Sequence, residues 1–161
     1  MQTKKRLVRL LFLTAIFLQT AFIFGNSLAS VEESVSISGG VTAFLKGFLD
    51  PNGRIDDELF HHLVRKTAHF TEFFVLSALY TLFRSLLSQP LRDKLFLLAP
   101  FAGILTAVCD EFIQSFTGRG SAVKDVVLDF CGVLTAFAFV SVCLVLLDKQ
   151  RKDISKGEKP S

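Results

Sequence analysis

The chain has no tryptophan and a single tyrosine, Tyr80, among 161 residues. Charge is scarce too: 20% of residues are Asp, Glu, Lys or Arg, and the formal net charge is only +3. So weak a basic excess, with no interleaving of basic and aromatic residues, excludes a nucleic-acid interface. Three cysteines occur, Cys109, Cys131 and Cys143, in no Cys-x-x-Cys or Cys/His spacing. Zinc and dithiol motifs are therefore excluded, and the cysteines read as small buried hydrophobes. No His-Glu-x-x-His or similarly dense ligand set occurs, so neither a metal nor a cofactor is expected.

What is abundant is hydrocarbon. Half the residues are hydrophobic and mean hydropathy is +0.47. They gather in four blocks, Leu7–Phe24, Ala68–Phe83, Leu95–Phe116 and Val126–Leu147. Each approaches the roughly 20 residues that cross a ~30 Å hydrocarbon layer at ~1.5 Å per residue. The fold class expected is all-α: a polytopic integral membrane bundle of four transmembrane helices, with short interfacial helices in the first outer loop.

The chain divides accordingly. Residues 1–24 hold a basic leader (Lys4, Lys5, Arg6, Arg9) and the first span. Ser27-Leu28-Ala29 would suit signal cleavage, but the apolar run is longer than a signal core of ~7–15 residues, so retention is expected. Residues 25–66 form an outer loop. Val31–Ser38 shows no clear period, whereas Val41, Phe44, Leu45, Phe48 and Leu49 make one helical stripe. Asp50-Pro51-Asn52-Gly53 ends that stripe with turn chemistry. A second short helix, around Leu59–Val64 with the solvated pair His61 and His62, runs into the second span. Residues 67–147 form a three-helix core, and 148–161 a charged tail expected to be disordered.

Orientation follows from lysine and arginine. The leader, the loop after the second span and the tail carry twelve of them, and the opposite side carries six. Both termini are therefore expected in the cytoplasm, with the protein multi-pass in the cell membrane.

On this topology, polar residues of three segments meet at one depth on the outer side. Lys66, His69 and Glu72 begin the second span, where i, i+3, i+6 spacing covers about a third of the helix. Asp110, Glu111 and Gln114 end the third, after only about fifteen apolar residues, or ~22 Å, which draws the acids below the interface. Arg119 and Lys124 lie in the loop, and Asp125 and Asp129 share a face one turn apart. Gly132 follows where a close helix approach is useful. The candidate cluster is Lys66, His69, Glu72, Asp110, Glu111, Gln114, Arg119, Asp125 and Asp129.

These residues carry a resemblance. Arg65-Lys66-Thr67-Ala68-His69-Phe70-Thr71-Glu72-Phe73 comes first, then Asp110-Glu111-Phe112-Ile113-Gln114-Ser115-Phe116. Gly118-Arg119 follows, with Asp125-Val126 and Asp129 to Gly132. In order and spacing they resemble the signature blocks of the VanZ-like family, over roughly Phe24 to Leu146. Phe74 stands close to where many members carry Tyr, and Thr117 where Pro is common; neither touches a charged position. The resemblance implies a small bacterial integral membrane protein, and the name-giving member lowers susceptibility to the glycopeptide antibiotic teicoplanin.

Several uses of the cluster are open to the residues. One is a staple, with Lys66 and Arg119 paired to Glu72, Glu111 and the aspartates, offsetting about 2.5–3.5 kcal/mol per intramembrane charge. A second is a binding site for a cell-wall precursor, a glycopeptide or a lipid headgroup, with Arg119, Lys66 and Lys124 holding phosphate or carboxylate. A third is an outer-leaflet enzyme, with His69 or Glu111 as base, Glu72 orienting it and Arg119 stabilising charge; a metal on His69, Glu72, Glu111 and Asp129 is a variant of it. An ion path is disfavoured because the inner halves of the spans lack a polar track. Binding, with membrane lipids as surroundings, is the expectation adopted.

Overall fold

The computed structural model describes residues 2–29, 31–117 and 122–157, and among them every regular element is helical. The elements are α1 (Gln2–Leu28), α2 (Val31–Leu49), α3 (Asp57–Ser85), α4 (Gln89–Lys94), α5 (Leu98–Phe116) and α6 (Val123–Gly157).

Local chemistry sets the boundaries. Gly53 takes φ +61°, the left-handed conformation that glycine adopts without strain. This closes the Asp50–Gly53 turn, and Asp50 fixes it by accepting from the amides of Arg54 (2.9 Å) and Ile55 (2.8 Å). Those two donors hold the Asp50 carboxyl below its ordinary range. Asp56 then caps α3, accepting from Glu58 and Leu59 amides at 3.0 and 3.2 Å. Lys46 of α2 pairs with Asp57 and donates to the Ile55 carbonyl, fastening α2 to the start of α3. Pro90 opens α4, and Pro100 falls in the first turn of α5, where an amide would have no helical partner.

Helices α1, α3, α5 and α6 alternate in direction. Arg9 of α1 donates to the Leu86 carbonyl beyond α3 (2.7 Å) while Gln19 reaches the Glu72 carbonyl (3.1 Å), so α1 and α3 are antiparallel. Glu111 of α5 meets Ala122 at the entry of α6, and Phe96, just before α5, meets Phe137 of α6, which makes α5 and α6 antiparallel. Helices α3 and α6 run parallel, and α3 is the central element, packed against α1, α2, α5 and α6.

Close approach is built from small residues. A Cβ on Gly132 would lie 2.5 Å from the Phe70 carbonyl oxygen, so α6 touches the backbone of α3 there. About two turns along α3 from Phe70, Ser77 donates to the Val133 carbonyl at 2.8 Å. Gly103 of α5 faces the other side of Val133, where a Cβ would stand 2.6 Å from both valine methyls.

The polarity of the bundle is inverted relative to a water-soluble one. Ser27, Ser77, Thr81, Thr106, Asp110, Glu111, Gln114 and Asp129 are buried, while Phe17 (71% exposed), Phe112 (64%) and Phe139 (62%) point outward. Two helices, α1 and the Val123–Ile154 part of α6, are long and apolar enough to cross a membrane, and only 11% and 17% of their apolar windows is buried in the bundle. The core helix of a soluble protein would bury most of that surface.

Three expectations are corrected. The cysteines are not buried: Cys131 is exposed and Cys109 and Cys143 are half-buried. Helix α2 starts at Val31, ten residues before the apolar stripe. No proline interrupts residues 31–49, and once a helix is nucleated each added residue gains a hydrogen bond. The tail, expected to be disordered, continues α6 to Gly157. Lys152 pairs with Asp148 one turn back (2.8 Å), the kind of contact that supports an exposed helix.

Candidate functional site

Alternating direction brings three helix ends level with the middle of α3: the last turn of α1, the last turns of α5 and the first turns of α6 meet the Lys66–Glu72 stretch of α3. From α3, Lys66 forms an ion pair with Asp125 of α6, both side chains largely buried. One turn further, His69 Nδ1 lies 3.8 Å from Asp129 Oδ1. The i, i+4 spacing of Asp125 and Asp129 matches the i, i+3 spacing of Lys66 and His69 across a parallel pair.

Helix α5 contributes the deepest groups. Asp110 is 0% exposed and accepts from Ser27 of α1 at one oxygen and from Gln114 Nε2 (2.7 Å) at the other. Glu111 Oε2 accepts from the Ala122 amide at 3.0 Å, tying α5 to the entry of α6. Among the described residues, its Oε1, Gln114 Oε1 and both oxygens of Asp129 are buried without a hydrogen-bond partner. An ion removed from water without compensation costs several kcal/mol, so the polar end is held at a cost that packing alone does not explain.

Glu72 behaves differently from Lys66 and His69. Six residues along a helix turn about 120°, so Glu72 faces α1, where its Oε1 accepts from Asn26 (3.0 Å). The pairing of Lys66 with Glu72 expected for a staple is replaced by Lys66 with Asp125. Lys124 is exposed, and Arg119 lies outside the described residues. The set His69, Glu72, Glu111 and Asp129 is not the one that converges; His69, Asp110 and Asp129 are, with ligand atoms within 4.8 Å of one another.

The sequence reading missed α1. Asn26 and Ser27 contact Glu72 and Asp110, and the Ser27 carbonyl accepts from Thr117 at 3.2 Å. The signal was present in the topology, since antiparallel order puts the end of the first span level with the end of the third.

Beside this polar end, a groove of about 690 Å³ opens between α1, α2 and α3. Phe22, Val41, Leu45, Leu49, Phe60 and Leu63 line it, and Glu72 stands in its wall. That volume lies within the ~300–1,000 Å³ range of small-molecule sites.

Hydrocarbon outside, with acids, an amide and an imidazole gathered inside at one end, is the build of a helical membrane protein with a polar site. The chain belongs to the VanZ/LLP1 family, whose model matches residues 10–145. No curated protein and no solved structure matches it.

Proposed function

We propose that this chain is a four-span protein of the bacterial cell envelope whose outward polar end binds the head of an envelope amphiphile, such as a lipid-linked wall precursor or a glycopeptide-type molecule. Through that binding it lowers susceptibility to glycopeptide antibiotics such as teicoplanin. Both termini are cytoplasmic in this reading.

The observation that carries it is the junction at Glu72, which belongs both to the apolar groove and, through Asn26, to the polar end. An amphiphile needs that combination: a hydrocarbon-lined channel opening beside charged hydrogen-bonding groups. Lys66 and Arg119 are the cations for a phosphate or carboxylate. Four spans are supported by α3 and α5 lying between α1 and α6 in alternating direction; at 19 residues α5 is about 28 Å long. Unlike α1 and α6, helices α3 and α5 hold no uninterrupted apolar window of spanning length, because Asp110, Glu111 and Gln114 of α5 and Ser77 and Thr81 of α3 face the interior.

Expression of the chain in a glycopeptide-susceptible host is expected to raise the teicoplanin inhibitory concentration several-fold. Lys66→Ala and Glu111→Gln, at equal amounts in the membrane, are expected to return it to baseline. A wild-type chain that reaches the membrane and leaves susceptibility unchanged contradicts the proposal.

A further inference from the structure

Among the described residues, several buried acceptor oxygens at the polar end have no hydrogen-bond donor. Asp129 is 1% exposed, and neither carboxylate oxygen has a hydrogen-bond donor among the described residues; at 3.8 Å, His69 Nδ1 is beyond hydrogen-bond reach of it. Gln114, also 1% exposed, gives an amide N–H to Asp110, and its own oxygen is left buried without a donor. Reversing the amide would set that oxygen against the Asp110 carboxylate, so the shortage persists in either orientation. In the sequence, the cluster holds five acids (Glu72, Asp110, Glu111, Asp125, Asp129) against two permanent cations, Lys66 and Arg119. Lone pairs directed into a buried place short of protons and positive charge call for a cation.

We propose that His69, Asp110 and Asp129 bind one divalent transition-metal ion. Their ligand atoms lie within 4.8 Å of one another. Atoms bound to one ion at about 2.0–2.2 Å in tetrahedral geometry stand roughly 3.3–3.6 Å apart, so side-chain adjustments of up to about an ångström complete the set. Ser27 and Gln114 already hold the Asp110 carboxylate by one hydrogen bond at each oxygen, the outer support that metal-binding carboxylates need. One imidazole with two carboxylates suits Zn²⁺ or Mn²⁺, since Ca²⁺ and Mg²⁺ favour all-oxygen shells and Cu(I) favours thiolate. Three protein ligands leave a position for water or for an oxygen of a bound molecule. Glu72 and Glu111 are outside the set, because one faces Asn26 and the other is engaged by the Ala122 amide.

The test uses the full-length chain in detergent, stripped with chelator and titrated with MnCl₂ alone. One Mn²⁺ per chain is expected, displaced by Zn²⁺, with a pulsed-EPR coupling to a single imidazole nitrogen. His69→Ala and Asp129→Asn are each expected to weaken binding at least about tenfold. The double change His61→Ala/His62→Ala, which removes the other histidines, is expected to leave it unaltered. Failure to bind either ion stoichiometrically, Mn²⁺ without imidazole coupling, or binding that survives both site changes would overturn the proposal. The wild-type EPR signal decides the matter even where a variant fails to fold. Metal binding without a teicoplanin phenotype would contradict the antibiotic reading alone, and a phenotype in a chain that binds no metal would contradict the metal alone.

Discussion

Single atoms decide much of this bundle. At Gly132 there is no room for a methyl group, because the atom it would meet is the backbone oxygen of Phe70 rather than a movable side chain. Gly132→Ala is expected to cost about 1–3 kcal/mol of stability, the range for overpacking. Gly25→Ala, with nothing within 4 Å, is expected to be neutral or slightly stabilising. Unfolding of both variants in the same detergent checks the contrast. Ser27→Ala removes the hydroxyl donor to Asp110 and is expected to destabilise by roughly 1.5–3 kcal/mol, as for hydrogen bonds to charged groups. Asp50 gives a pH test. Its folded carboxyl titrates below its ordinary value of 3.8 because it accepts two backbone amides. Its stabilisation is thus complete above the unfolded pKa and is lost as pH falls through the folded one. Amide exchange at Arg54 and Ile55, corrected for intrinsic rates, is expected to accelerate as pH drops below about 4. In Asp50→Asn that pH dependence is expected to vanish.

At the level of elements, pairing is set by direction and register. Lys66 and Asp125 are expected to show a coupling of about 0.5–3 kcal/mol in a double-alanine cycle, whereas Lys66 and Glu72 are expected to be additive. The same logic explains what the sequence made legible. Four apolar blocks and three polar stretches were readable because hydrocarbon length and charge are local properties. The turn at Asp50–Gly53 and the close approach at Gly132 were readable because glycine and proline have few other uses at such positions. Which face of α3 each residue occupies was not: Glu72 turns away from Lys66 by the helical pitch, and only packing decides which neighbour meets it. The helical starts and ends at Val31 and Gly157 were missed because composition there is polar, and helix extension from an existing end does not require an apolar face. Asn26 and Ser27 were not legible because their partners, Glu72 and Asp110, are far away in sequence and meet them only through the packing of the bundle.

For the whole molecule, the distribution of polarity is the main physical fact. Large apolar side chains cover the outside of the helices, while carboxylates, hydroxyls and an amide share the interior with Ile23, Phe73, Leu76 and Val133. In water that arrangement would expose hydrocarbon and bury ions together; in a bilayer the same arrangement lowers both costs. Arg9, Arg84 and Arg92 gather at the opposite end from the acidic cluster, the asymmetry expected when basic residues stay on the cytoplasmic side. The account therefore turns on four spans with the polar end outward. Replacing Cys109, Cys131 and Cys143 by alanine and adding either Asn52→Cys in the α2–α3 turn or Gln89→Cys at the start of α4 tests it directly with an impermeant thiol reagent on intact cells. The account predicts that Asn52→Cys is labelled at once and Gln89→Cys only after lysis. Labelling of Gln89→Cys in intact cells, with Asn52→Cys protected until lysis, would contradict it.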